Sequence, residues 1–131
     1  DVRSIDVQGE TAAWFEVQNT DVSVWRGSFS DSGALTAEQM LEQSPALQTN
    51  VRTEGDLVAF VANAGDAISI MDLAKRRRID ISLPKGFGAA HIVHVTSDEV
   101  VVNVADTSDP FVPFYELPWR IQLGMRKWRA M

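Results

Sequence analysis

The 131 residues are 45% hydrophobic and 23% charged, with no cysteine and a net charge of −6, a balance that fits a single globular domain. It excludes a disulfide framework, and no apolar run approaches the ~18 residues that a membrane-spanning helix needs. An acidic chain is also a poor general nucleic-acid binder, because phosphate affinity comes from concentrated Lys and Arg.

The first element, VRSIDV (2–7), alternates apolar and polar residues as a half-buried strand does. After Gly9-Glu10 comes TAAWFEV (11–17), then a polar turn, then VSVW (22–25) closed by Arg26. GSFSDSG (27–33) has the composition of a connector. LTAEQMLEQSPAL (35–47) predicts a short helix near 36–43. Thr36 would be its N-cap with Gln39 three residues on, Ala37, Met40 and Leu41 its apolar stripe, and Pro45 its end.

The plan then returns. LQTNVRT (47–53), LVAFVA (57–62), ISIMDL (68–73) and IDISLP (79–84) form a second set of strands. HIVHVT (91–96), VVVNVA (100–105), FVPFYEL (111–117) and WRIQLGM (119–125) form a third. Large residues followed by a charge close the third strand of each copy, at Trp25-Arg26, Met71-Asp72 and Tyr115-Glu116, with spacings of 46 and 44 residues. The sequence therefore predicts one mainly β domain over 1–131. It consists of three four-stranded antiparallel units at about 2–46, 47–88 and 89–128, which must stack to cover their apolar faces. Val58, Phe60, Ile70 and Val101 are expected to be buried. A β-sandwich of short strands is the alternative.

The stretches NTDVSVWR (19–26), GDAISIMD (65–72) and DPFVPFYE (109–116) carry a resemblance. A four-stranded unit of 40 to 45 residues whose third strand ends in Trp-Asp resembles the WD40 repeat of β-propellers. The apolar pair is kept in each copy, as Val22/Val24, Ile68/Ile70 and Val112/Phe114. The closing position is Arg26, Asp72 or Glu116, and the usual Gly-His pair is absent, with only His91 near its place. The family's turn Asp–His–Ser/Thr–Trp hydrogen-bond network is therefore not carried over. What the resemblance implies is a propeller-like scaffold that binds a protein partner through rim loops, as WD40-like adaptors such as F-box proteins do. Closed propellers use four to eight blades, so three imply self-association or another chain that completes the ring. The sequence begins at Asp1, not Met, and is read as processed or as a piece of a longer chain.

Chemistry-bearing groups are sparse. His91 and His94 would fall on opposite faces of a strand, which is poor metal-ligand geometry. The acidic turns 97–99 and 106–109 lack the spacing of a calcium loop. Gly86-Phe87-Gly88 lacks the third Gly of a dinucleotide loop, and there is no nucleophile-elbow pattern. The expectation is a non-catalytic chain with no cofactor and no metal, in the cytoplasm or nucleus. A carbohydrate-binding or enzyme-associated β domain is the alternative, and it requires Trp14, Trp25 and Trp119 to face solvent together. Residues 1–74 carry a net −9 and residues 75–131 a net +3, a polarity suited to head-to-tail contact. The densest run is Lys75, Arg76, Arg77 and Arg78, placed on a rim loop. These four, with Trp119 and Trp128, are the expected partner contacts, because Arg and aromatics dominate interface hot spots.

Overall fold

Apolar–polar alternation punctuated by Gly and Asx turns yields strands alone. In a computed structural model, residues 2–44, 50–62, 65–106, 116–122 and 127–130 are described, and among them there is no helix. The first sheet contains β1 (Val2–Gln8), β2 (Thr11–Gln18), β3 (Asp21–Phe29) and β4 (Leu35–Ser44). The second contains β5 (Arg52–Glu54), β6 (Leu57–Ala62), β7 (Ala67–Asp72) and β8 (Arg77–Ser82). The third contains β9 (Phe87–Val95), β10 (Glu99–Asp106), β11 (Glu116–Gln122) and β12 (Lys127–Ala130). Each is an antiparallel meander in which sequence neighbours pair. The β1–β2 and β5–β6 turns use the same chemistry. Gly9 and Gly55 sit at φ of +60° and +57°, a region a Cβ disfavours, and an acidic residue follows each.

The sheets stack in chain order. Ala13, Phe15, Val22 and Val24 of the first sheet pack on Val51, Val58 and Phe60 at the second. From the other face of the second sheet, Ala59, Val61, Ile68 and Ile70 pack on Ile92, Val100, Val102 and Ile121 of the third. Both faces of the middle sheet are thus covered, which explains why β6 reads as an unbroken apolar run while β1 alternates. Val58, Phe60, Ile70 and Val101 are all buried, as expected.

Two expectations need correction. The helix at 36–43 is instead β4, paired along β3 from Val22↔Ser44 to Phe29↔Leu35. A two-turn helix is marginal in water, whereas the open edge of β3 offers a row of backbone partners. Two register shifts, at Val24/Trp25 and Arg26/Ser28, absorb the extra residues. Leu41 then packs on the core between the first two sheets while Met40 is exposed. Thr36, read as a cap, donates its hydroxyl to the Ser28 carbonyl at 3.1 Å.

The third sheet is also shifted. The partner of β10 is β11, with Val102↔Trp119 and Val100↔Ile121, so WRIQ belongs to the third strand and β12 is the fourth. The apolar alternation of Trp119 and Ile121 matches that of Val102 and Val100, and this match sets the register. Tyr115 and most of FVPFYEL lie outside the described residues.

Candidate functional site

The junction between the first two sheets is held by two arginines at different levels. Arg26, where the WD40 pattern has Asp, reaches across to the β5–β6 turn. Its Nη2 donates to the Gly55 carbonyl at 3.1 Å and lies 3.4 Å from Asp56 Oδ1. The preceding Trp25 donates its indole N–H to Ser23 Oγ at 2.9 Å and stacks on Trp14, its cross-strand partner, at 6.5 Å between ring centroids. The Trp-Arg pair therefore does two jobs, one ring for its own sheet and one cation for the next.

Arg78, the last residue of the basic run and part of β8, is the second strut. Its Nε donates to Asp80 Oδ1 at 2.9 Å, its Nη2 to Ser69 Oγ at 3.0 Å, and its Nη1 to Glu42 on β4. The guanidinium also lies 5.5 Å over the Phe60 ring, a cation–π placement. Burial opposes its charge, but the bonds to Asp80 and Glu42 outweigh that and raise its pKa above the ordinary arginine value. Asp80 moves the other way. The hydroxyl of the fully buried Ser69 donates to its Oδ1 and lowers its pKa; partial burial opposes this, and Arg78 adds to it.

That shift has a pH consequence. A carboxylate with a depressed folded pKa stabilises the fold fully above its unfolded value, near 3.9, and that contribution is lost as pH falls through the folded pKa. Wild type and Asp80→Asn are expected to differ in urea midpoint at pH 6 and to converge towards pH 2. Asp80 is 56% exposed on its side chain, so solvent screening keeps the difference small.

Beside Arg78 a cleft of about 540 Å³ opens between β4 and the β7–β8 hairpin, lined by Gln39, Met71, Asp72, Leu73, Arg76, Arg77 and Arg78. Met71 and Leu73 pack on the core and give it an apolar floor. Asp72 is committed to the turn, its Oδ1 accepting the Lys75 backbone N–H at 3.1 Å. Arg76 sits at φ +52° at the tip of this turn. Lys75, Arg76 and Arg77 are exposed, and their side chains make no ion pair with a described residue. The basic run thus divides, with one cation built into the sheet junction and three presented at the rim.

The other expected contacts are placed differently. Trp119 packs against the core between the second and third sheets, 5.4 Å from Phe87 between ring centroids. Its Nε1 is buried without a partner among the described residues. Trp128 pairs in register with Ile121 on β12, and its side chain lies outside what is described. Trp14 is 5% exposed, on a different sheet from Trp119, so the three tryptophans form no common platform of the kind the carbohydrate reading requires. His91 lies 3.5 Å from Arg52 Nη2, and His94 Nε2 lies 3.3 Å from Glu99 Oε1.

A polar seam that the sequence reading missed runs along β1, β5 and β9. Asp6 accepts the Thr53 N–H at 2.8 Å and pairs with Arg52 at 3.3 Å. The buried Asn50 accepts the Ile92 N–H and donates to the Ile92 carbonyl, both at 2.8 Å. Arg52 Nε donates to the same carbonyl at 3.2 Å. Asn50 acts as a short piece of extra strand for β9. Only its position, just before a short strand in a polar stretch, marks it in the sequence.

Three consecutive antiparallel four-stranded sheets stacked face to face define a propeller-like fold, and solved structures agree. The chain superposes on the tricorn protease with a TM-score of 0.66 at 11% identity, covering 98% of this chain and 13% of that one. A mutant of the Synechocystis apocarotenoid oxygenase gives a TM-score of 0.59 at 11% identity, covering 98% of this chain and 37% of that one. The chain spans well under two thirds of either, and likeness at this identity concerns the fold alone. No protein-family model and no curated protein matches the chain.

Proposed function

We propose that this chain is a non-catalytic interaction module, a set of WD40-like propeller blades within a larger or oligomeric ring, which holds an acidic segment of a partner protein at its rim. The observation that carries the reading is the cleft beside the β7–β8 turn. It combines an apolar floor of Met71 and Leu73 with the exposed cations of Arg76 and Arg77, and the exposed Lys75 precedes them on the same turn. Such a site takes a short segment that mixes Asp or Glu with an apolar anchor, an adaptor-like role. Stacked sheets supply a rigid frame for the turn.

The test is fluorescence anisotropy with a labelled peptide of alternating Glu and Leu, against its Lys–Leu counterpart. The Glu peptide is expected to bind, more weakly as salt rises. Reversing Arg76 and Arg77 together to Glu is expected to weaken it by about tenfold or more. Equal binding of both peptides, or indifference to the double reversal, would refute the cleft as the site.

A further inference from the structure

Six large apolar side chains are exposed among the described residues, and their distribution is uneven. Val2, Ile5, Val7, Leu35 and Met40 belong to the first sheet, and the sixth, Val93, to the third. The middle sheet has none. Apolar exposure is therefore confined to the two ends of the stack, the pattern left when a continuing series of sheets is interrupted.

Register makes the equivalence specific. Relative to the turns at Gly9-Glu10, Gly55-Asp56 and Ser97-Asp98, the positions Ala12/Trp14, Val58/Phe60 and Val100/Val102 coincide. Val58 and Phe60 are covered by the first sheet, and Val100 and Val102 by the second. Ala12 and Trp14 are buried beneath side chains of their own sheet, and above them opens a groove of about 420 Å³ whose exposed apolar walls are Val2, Ile5 and Leu35, with Glu16 and Glu38 beside them. Trp14 can lie flat there because its neighbour is Gly27, where a Cβ would come within 3.0 Å of the indole ring.

In each of the two junctions already present, this face receives the opposite face of the sheet before it. In this chain the opposite face left over is that of the third sheet. There Val101 is in register with His94 and Arg120, and Glu99 lies 3.3 Å from His94 Nε2 and 3.6 Å from Arg120 Nη1. Arg120, its side chain 44% exposed, is the cation this face can turn towards the two glutamates of the groove, as the −9 and +3 halves of the sequence suit head-to-tail contact.

We infer that the first sheet's open face docks the outer face of the third sheet of a second copy of this chain. This rests on the propeller reading above and names its partner. Two copies joined this way at both ends would close a ring of six sheets, inside the four-to-eight range of closed propellers.

The experiment is light scattering after size exclusion, over a range of concentrations, on wild type, Ile5→Asp, Glu38→Lys, Arg120→Glu and the Glu38→Lys/Arg120→Glu pair. Wild type is expected at twice the 14.5 kDa of the chain, and Ile5→Asp, at a side chain 62% exposed in the single copy, as a folded monomer by circular dichroism. Each single charge reversal is expected to weaken association about tenfold, and the pair to restore it. Larger multiples abolished by Ile5→Asp would also support the docking, as open head-to-tail chains. Wild type that stays monomeric at every concentration overturns the inference. A dimer indifferent to Ile5→Asp and to both reversals overturns it as well. Peptide binding by monomeric Ile5→Asp reports on the rim cleft separately, so the two readings fail independently.

Discussion

Asn50→Ala is expected to cost about 2–4 kcal/mol of folding stability, read as a lower urea midpoint at unchanged slope. Asn50 is 5% exposed and meets both backbone groups of Ile92, itself fully buried. Truncation leaves the Ile92 N–H without an acceptor in a site closed to water, and an unmade buried hydrogen bond carries its full desolvation penalty. The Ile92 carbonyl suffers less, because Arg52 Nε still reaches it. Asn50→Asp separates the two halves of the effect. It keeps an acceptor for the N–H but loses the donor and buries a charge, so it too is expected to destabilise, and more strongly at pH 7 than at pH 3. An Ala variant within a few tenths of a kcal/mol of wild type would show that the seam does not tie the second and third sheets together.

Phe60→Ala is expected to cost about 3–5 kcal/mol, in the range of large-to-small changes at filled core positions. Its ring is buried among Phe15, Val24, Val51 and Val58, with the Arg78 guanidinium above it. The loss should be local in its first effect. The first junction rests on this cluster, while the second rests on a separate one around Ile68, Ile92 and Val102. In a stack of sheets, each interface stabilises its own neighbours. Native-state hydrogen exchange should therefore show β2 and β3 losing protection in Phe60→Ala while β10 keeps most of its own. Uniform loss across all three sheets would mean that the stack unfolds as one cooperative unit.

The reach of sequence reading follows from the range of each interaction. The β1–β2, β2–β3 and β5–β6 hairpins were legible because Gly9, Asn19 and Gly55 announce their turns and the flanking strands alternate or run apolar. The segment at 35–44 was not, because its Ala, Gln, Glu, Met and Leu content favours a helix locally. The unpaired edge of β3 overrides that preference, and the propensities of residues 35–44 themselves do not record it. The third sheet was misregistered because two alternating runs, 111–117 and 119–125, compete for one partner strand. Val100 and Val102 select Ile121 and Trp119 through packing across the pair.

The candidate site divides in the same way. The basic run from Lys75 to Arg78 is plain in the sequence, and so is its place beside a turn. Which of the four cations remains available is decided by distant residues. Glu42, 36 positions away, and Ser69 and Phe60 take Arg78, and leave Arg76 and Arg77 at the cleft. Likewise the seam of Asp6, Asn50 and Arg52 joins groups 40 or more residues apart, which no local pattern can signal.

By itself the sequence determined a cysteine-free, all but wholly β chain of three repeated four-stranded units, because hydrophobic period and turn chemistry are local and each unit repeats them. The tertiary structure decided that the fourth strand of the first unit is a strand and which run completes the third. It also decided which arginine is a strut, and that the apolar surface left over lies at the two ends of the stack. Those outcomes depend on which faces meet, and faces are brought together only when the sheets pack.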